Sequence, residues 1–206
     1  MQIMLVRHGQ SVGNIGGHFS HAEHDQLTNL GHEQAAALAK RLADEGIDHI
    51  CCSPLKRAAQ TIIPFLEGDD REAEIWPELA ECSWHPEPSV PAETWREEAC
   101  TLNEALLTRM RFRDGRAIQP VADEDYAEGL LRVRQCRELL RERFTEDDTI
   151  LLVSHGHFIR EFLNVVLECG TRVRFPQVNT ALTRLTLGRP PVLQYSNCTL
   201  HLASFG

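Results

Sequence analysis

The chain has 206 residues, 42% hydrophobic and 25% charged, enough for one sizeable α/β domain with its own core. Its formal net charge is −9 and its pI is near 5.6. An acidic chain gains nothing from phosphate backbones or anionic lipid, so no nucleic-acid or membrane partner is expected, although a local cluster of Arg can still admit a small anion.

Residues 2–6, QIMLV, form an apolar run ending at Arg7 and read as a buried strand. Residues 9–27 lack periodicity and read as a long loop, the kind of segment that often carries function. Thr28 is positioned to cap a helix whose Leu30, Gln34, Ala35, Leu38, Ala39 and Leu42 recur at helical spacing, with Gly46 closing it. A second strand is expected over 48–52, a helix over 55–66 and a short strand near Glu74 to Trp76. Pro77, Pro86, Pro88 and Pro91 punctuate irregular chain around 82–92, and helical patterns return at about 93–111 and 124–144. The clearest buried strand is 149–155, followed by a helix from Phe158 to Leu167, and two β-rich runs at 180–187 and 198–204 finish the chain.

Strands alternating with helices predict a three-layer α/β sandwich, a mainly parallel sheet with helices on both faces. In such sheets ligands sit beyond the carboxyl ends of the strands. Three polar motifs follow predicted strand ends: Arg7-His8, Ser53 to Arg57, and His155. A neutral imidazole is a competent nucleophile for phosphorus when one tautomer is fixed. Arg7 beside His8 disfavours the imidazolium and offers a planar fork to phosphoryl oxygens, while Gly9 allows close backbone approach. Arg57 lies just inside a helix start, where Pro54 and the helix amino end suit an anion.

His155-Gly156-His157 raises a metal site as a rival, but no acid or Cys of suitable ligand spacing lies near in sequence. His18, His21 and His24 read as a solvated loop. The seven Cys show no metal-ligand spacing and read as reduced, packed thiols. With no signal-peptide or membrane-span pattern, a cytoplasmic protein is expected.

Taken together, LVRHGQSVGN, DQLTNLGHEQA, CSPLKRAAQT, PELAE and LLVSHGHFIR, in that order, resemble the phosphoglycerate mutase-like, or histidine phosphatase, superfamily, with VNTALTRL at 178–185 fitting its closing strand. The resemblance covers nearly the whole chain except about 83–122, which would be a lid insertion in a single domain spanning 1–206. It implies a histidine acid-type phosphatase that needs no cofactor or metal and acts on a small phosphorylated substrate. His8 would accept the phosphoryl group, and Arg7, Arg57, Asn14, His155 and Gly156 would surround it. His155, if protonated, would share with the two Arg in neutralising the phosphoryl oxygens. Glu81 matches the family's proton donor, with Glu78 as the competing residue. Where the family often continues towards a Gly and then Trp-Glu-Gly, this chain reads Cys82-Ser83-Trp84-His85-Pro86.

Two other functions fit the same motifs. A bisphosphate-dependent phosphoglycerate mutase would pass the phosphoryl group to a second hydroxyl, but nothing here matches the longer Arg-Arg insertion such enzymes carry. A silent binding module would normally have lost a site residue. In the lid, Trp84, Trp95 and the Arg residues at 96, 109, 111, 113 and 116 could recognise a second anionic group, or could sit solvated on a helix with Leu102, Leu106 and Met110 inward.

Overall fold

Two strands set the architecture through strict alternation. In β1 (Gln2–Arg7), Ile3 and Leu5 face one apolar cluster and Met4 and Val6 the other, all four fully buried. In β7 (Thr149–Ser154), Ile150 and Leu152 face the first cluster and Leu151 and Val153 the second. A strand buried on both faces needs cover on both, and helices supply it.

The computed structural model describes residues 1–16, 24–82, 91–100, 102–170 and 173–205. On one face lie α1 (Asn29–Leu42) and α2 (Lys56–Gly68), contributing Leu38, Leu42, Ile62 and Leu66 to the core. On the other lie α4 (Tyr126–Arg143) and α5 (Gly156–Val166), contributing Val133, Leu140, Phe158 and Phe162. Between them run β2 (His49–Cys52) and β3 (Ala73–Ile75), and the sheet is completed by β5 (Met110–Phe112), β8 (Leu182–Thr186) and β9 (Val192–Cys198). The strand order is β5-β3-β2-β7-β1-β8-β9, parallel from β5 to β1 and antiparallel at β8 and β9. This is the mainly parallel, helix-covered α/β sheet that the sequence predicts.

Thr28 caps α1 as expected, its hydroxyl accepting from Gly31 N at 3.1 Å. α5 begins at Gly156, two residues earlier than predicted, because His155 is the extended residue ahead of its first turn.

Two expectations fail. The helix read over 93–111 is instead β4 (Glu97–Ala99), the single turn α3 (Glu104–Leu107), and β5. Leu102, Leu106 and Met110 do pack inward, but their four-residue spacing overlaps a two-residue alternation of Met110 and Phe112 with Arg111 and Arg113. The alternation wins, and β5 pairs with β3 at the sheet edge. Upstream, β4 is exposed and pairs antiparallel with β6 (Ile118–Pro120), so no long apolar face exists for a helix to bury. The strand read over 198–204 is also misplaced. The partner of β8 is β9, which starts at Val192, and residues Leu200–Phe205 form a 3-10 turn. As an edge strand, β9 is only half-buried and gives a weak apolar signal.

Candidate active site

Strand register assembles the site. Arg7 pairs with Ser154 across β1 and β7, so the next residues, His8 and His155, leave the sheet side by side. Their ring centroids are 5.1 Å apart. Cys52 pairs with Val153, which brings Ser53 alongside.

His8 is buried, and its Nδ1 lies 2.7 Å from Gly9 O. A carbonyl only accepts, so Nδ1 carries the hydrogen and Nε2 keeps its lone pair. Arg57 Nε–H donates to that nitrogen at 3.2 Å. Burial first, then Arg57, pushes the His8 pKa well below the ordinary imidazole value. The backbone is held as firmly. His8 N donates to Ser154 O at 3.0 Å and Gly9 N to Thr61 Oγ1 at 2.9 Å. A Cβ on Gly9 would come within 2.7 Å of Gly31 O, and one on Gly31 within 2.1 Å of Gln10 O. The loop after β1 can cross α1 at that distance only as glycine on glycine.

Arg57 is oriented by a residue that sequence reasoning missed. Asp25 accepts from Arg57 Nη1 at 2.7 Å, from Lys56 N at 2.8 Å and from Arg57 N at 3.3 Å. The amino end of α2, expected to suit a bound anion, is thus taken by the protein's own carboxylate. The signal was present, since Asp25 opens the segment DQLTNLGHEQA.

His155 is fully buried, with Nε2 2.7 Å from Ser53 Oγ. Burial first, then Arg57 and His8, pushes its pKa well below the ordinary value, so it stands here as a neutral imidazole rather than the imidazolium considered from sequence. Its Nδ1 and Arg7 Nε are buried without a hydrogen-bond partner among the described residues. Arg7 Nη1 donates to Gln177 O at 2.7 Å. The Arg7 side chain lies against the start of α5 at Gly156, where a Cβ would make van der Waals contact with Arg7 Nε at 3.4 Å. Asn14 is exposed, its Oδ1 accepting from Ser11 N at 3.1 Å and from Asn179 Nδ2 at 3.0 Å. Asn179 Nδ2 also donates to His8 O at 3.0 Å. Asn179 was missed too, although it lies within VNTALTRL.

Of the two competing acids, Glu78 is buried and held bidentate by Arg113 at 2.9 Å on each oxygen. Glu81 instead faces the start of α5. Its Oε1 accepts from Cys82 N at 2.9 Å and Phe158 N at 3.1 Å, and its charge acts on both Arg7 and His157.

The Arg residues of the expected lid all pair with acids; Arg96, Arg111 and Arg116 remain exposed, as on a solvated face, and Arg113 is largely covered. Arg96 pairs with Glu128 and Asp123, Arg109 with Asp70, Arg111 with Glu72, Arg113 with Glu78 and Asp114, and Arg116 with Glu97. Trp95 Nε1 donates to Gln135 Oε1 at 2.7 Å. Trp84, Ser83, His85, Pro86, Pro88, His18 and His21 lie outside the described residues, whereas His24 packs beside Gly13. His157 contacts Arg160 and Glu161. Among the described residues no three His, Cys, Asp or Glu cluster as a metal site would need. None of the seven Cys forms a disulfide, and burial pushes the Cys51, Cys52, Cys82 and Cys136 thiols up, away from reactivity. No helix among the described residues is long and apolar enough to cross a membrane.

Residues 3–195 match the family model of the histidine phosphatase superfamily (branch 1). An adenosylcobalamin/α-ribazole phosphatase of Salmonella typhi is 40% identical over 81 residues, a match spanning 39% of this chain and 40% of that protein's length. A probable phosphoglycerate mutase of Yersinia enterocolitica is 39% identical over 217 residues, covering 98% of this chain and 95% of that protein. The solved structure of a phosphoserine phosphatase mutant from Entamoeba histolytica, in complex with phosphoserine, superposes with a TM-score of 0.64 at 26% identity, covering 98% of each chain.

Proposed function

The chain belongs to the histidine phosphatase superfamily, and on that premise we propose that it is a histidine acid-type phosphatase, hydrolysing a small organic phosphomonoester through a phosphohistidine on His8. The observation that carries this reading is the fixed tautomer of His8: Nδ1 is locked onto Gly9 O, which leaves a buried, neutral Nε2 as the nucleophile.

Phosphoryl transfer asks chiefly for positioning and charge stabilisation. Arg57 and Arg7 supply the positive charge. Ser53 Oγ accepts from Leu55 N at 3.2 Å, and we assign its own hydrogen to His155 Nε2. That leaves His155 Nδ1–H as a neutral donor which, with Arg7 Nε–H, a phosphoryl oxygen satisfies. Asn14 and the backbone of Gly156 complete the cradle. His8 Nε2 attacks phosphorus in line, the bond to the ester oxygen breaks, and Glu81 gives that oxygen a proton. Two backbone donors fill Glu81 Oε1, leaving Oε2 to carry the proton. Water then attacks phospho-His8, Glu81 takes the water's proton, the P–N bond breaks, and inorganic phosphate leaves. The described part of the expected insertion, 91–100 and 102–122, serves as the lid of one domain. Seven Cys without a disulfide among them suit a reducing compartment such as the cytoplasm.

The match to a phosphoglycerate mutase over nearly the whole chain favours one second reading, transfer to a hydroxyl of the substrate. A panel of phosphomonoesters, run beside a phosphoglycerate interconversion assay primed with a bisphosphate, separates the two. Release of inorganic phosphate without interconversion supports the phosphatase. Interconversion faster than hydrolysis overturns it.

A further inference from the structure

The turn that carries Glu81 is gripped from outside by one side chain. Arg132, in the middle of α4, is fully buried, yet every arm of its guanidinium is used. Nη1 donates to Glu78 O at 2.8 Å and Ala80 O at 2.9 Å, and Nη2 to Glu81 O at 3.2 Å. Nε and Nη2 close on the Glu124 carboxylate at 2.7 and 2.6 Å. Three carbonyls of one turn therefore converge on a single cation, whose charge is balanced by a carboxylate that is itself buried.

A buried ion pair is weak evidence of a role in stability, because desolvation offsets most of its Coulomb attraction. Its geometry is another matter, since a planar fork fixes what it holds in both distance and direction. Val133 and Cys136, beside Arg132 on α4, are locked in the core, so the fork itself cannot drift. Glu124 follows β6, and Arg113, which holds the Glu78 carboxylate, follows β5. The stretch before Glu81 is thus held by its carbonyls on one side and by the Glu78 side chain on the other. Among the described residues, the Glu81 carboxylate is hydrogen-bonded by two backbone N–H groups and by no side chain.

We infer that Arg132 is the positioning residue for the proton donor, setting the backbone of residues 78–81 so that the Glu81 carboxylate meets the leaving oxygen. The inference rests on the proposal that Glu81 is that donor. It predicts an effect that depends on the leaving group. An alkoxide needs its proton as the ester bond breaks, and a nitrophenolate scarcely does, so a displaced donor harms the first and spares the second.

The test is phosphorylation of His8 in a single turnover, with an alkyl phosphate and with nitrophenyl phosphate, in the wild type, Arg132→Lys, Glu81→Gln and the double variant. Lysine keeps the charge but has three donors, too few for a bidentate carboxylate and three carbonyls. Arg132→Lys is expected to slow the alkyl substrate by about 10–10²-fold, less than the ~10²–10⁴-fold usual for loss of a whole general acid, and the aryl substrate by less than about threefold. In the Glu81→Gln background it should add no further selectivity, because the two residues act through one proton. Equal slowing of both substrates by Arg132→Lys, or no slowing, overturns the inference; if Glu81→Gln is still selective, the donor proposal stands. A Glu81→Gln variant without selectivity overturns both. Near-ultraviolet circular dichroism reports the fold. Should Arg132→Lys fail to fold, Glu124→Gln carries the test, since it keeps an oxygen acceptor and should shift selectivity in the same direction.

Discussion

Two buried, neutral imidazoles at the centre of the site should make the fold sensitive to mild acid. His8 and His155 have pKa values pushed well below the ordinary value, mainly by burial and then by Arg57. In the unfolded chain each regains a pKa of about 6.5. Below that pH the unfolded state binds protons that the folded state refuses, so stability falls as pH falls. For a histidine still neutral in the fold at pH 5, the loss between pH 7 and pH 5 is about 2 kcal/mol. That is a large part of a typical folding free energy of about 5–15 kcal/mol. Carboxylates with lowered pKa values, such as Glu128 and Asp148, lose their contribution at lower pH, around and below their unfolded values. The assay is urea unfolding at pH 7 and pH 5 in phosphate-free buffer, for the wild type and His8→Asn. The variant should be less sensitive over this interval by about 2 kcal/mol, whatever its absolute stability. An identical loss in both proteins would refute the claim that His8 is held neutral by burial.

The same depressed pKa keeps the nucleophile unprotonated in mild acid, so the acid limb of kcat/KM should lie below the ordinary imidazole range; a limb centred near pH 6.5 would contradict this. Asp25→Ala removes the cap of α2 and releases Arg57 Nη1, and should cost about 1 kcal/mol of stability. It should also slow His8 phosphorylation by about 10-fold or more for alkyl and aryl phosphates alike, since Arg57 acts on the phosphoryl group rather than the leaving oxygen; a change confined to stability would show that Arg57 is held without Asp25. Exhaustive chelation should leave turnover unchanged, because Arg7 and Arg57 supply the positive charge; loss restored by Zn²⁺ or Mn²⁺ would revive His155 and His157 as ligands.

The sequence made the centre of the sheet and the approach to the site legible because both rest on local pattern. Runs such as 149–154 are apolar enough to be buried strands whatever surrounds them, and a histidine after such a strand lies at its carboxyl end. What pairs across the fold was not legible. Asp25 reaches Arg57 over 32 positions, and Arg132 reaches Ala80 over 52. Such partners are set by tertiary packing, and each looks like an ordinary charged residue in its own segment. The choice between Glu78 and Glu81 was open for the same reason, since it depends on Arg113 arriving from β5's far end. The misread stretch 93–111 shows the converse, a four-residue spacing that serves helix and strand alike until the edge of β3 decides.

The central claim, a covalent phosphoryl group on His8, is tested most directly by trapping it. The protein is mixed with a radiolabelled phosphomonoester, quenched in alkali where phosphohistidine survives, digested, and the labelled peptide identified by mass spectrometry. The account predicts label on the peptide containing His8 in the wild type, and none in His8→Ala, whose circular dichroism should remain that of a folded protein. Turnover near the wild-type rate in His8→Ala, or label on another residue, would contradict it.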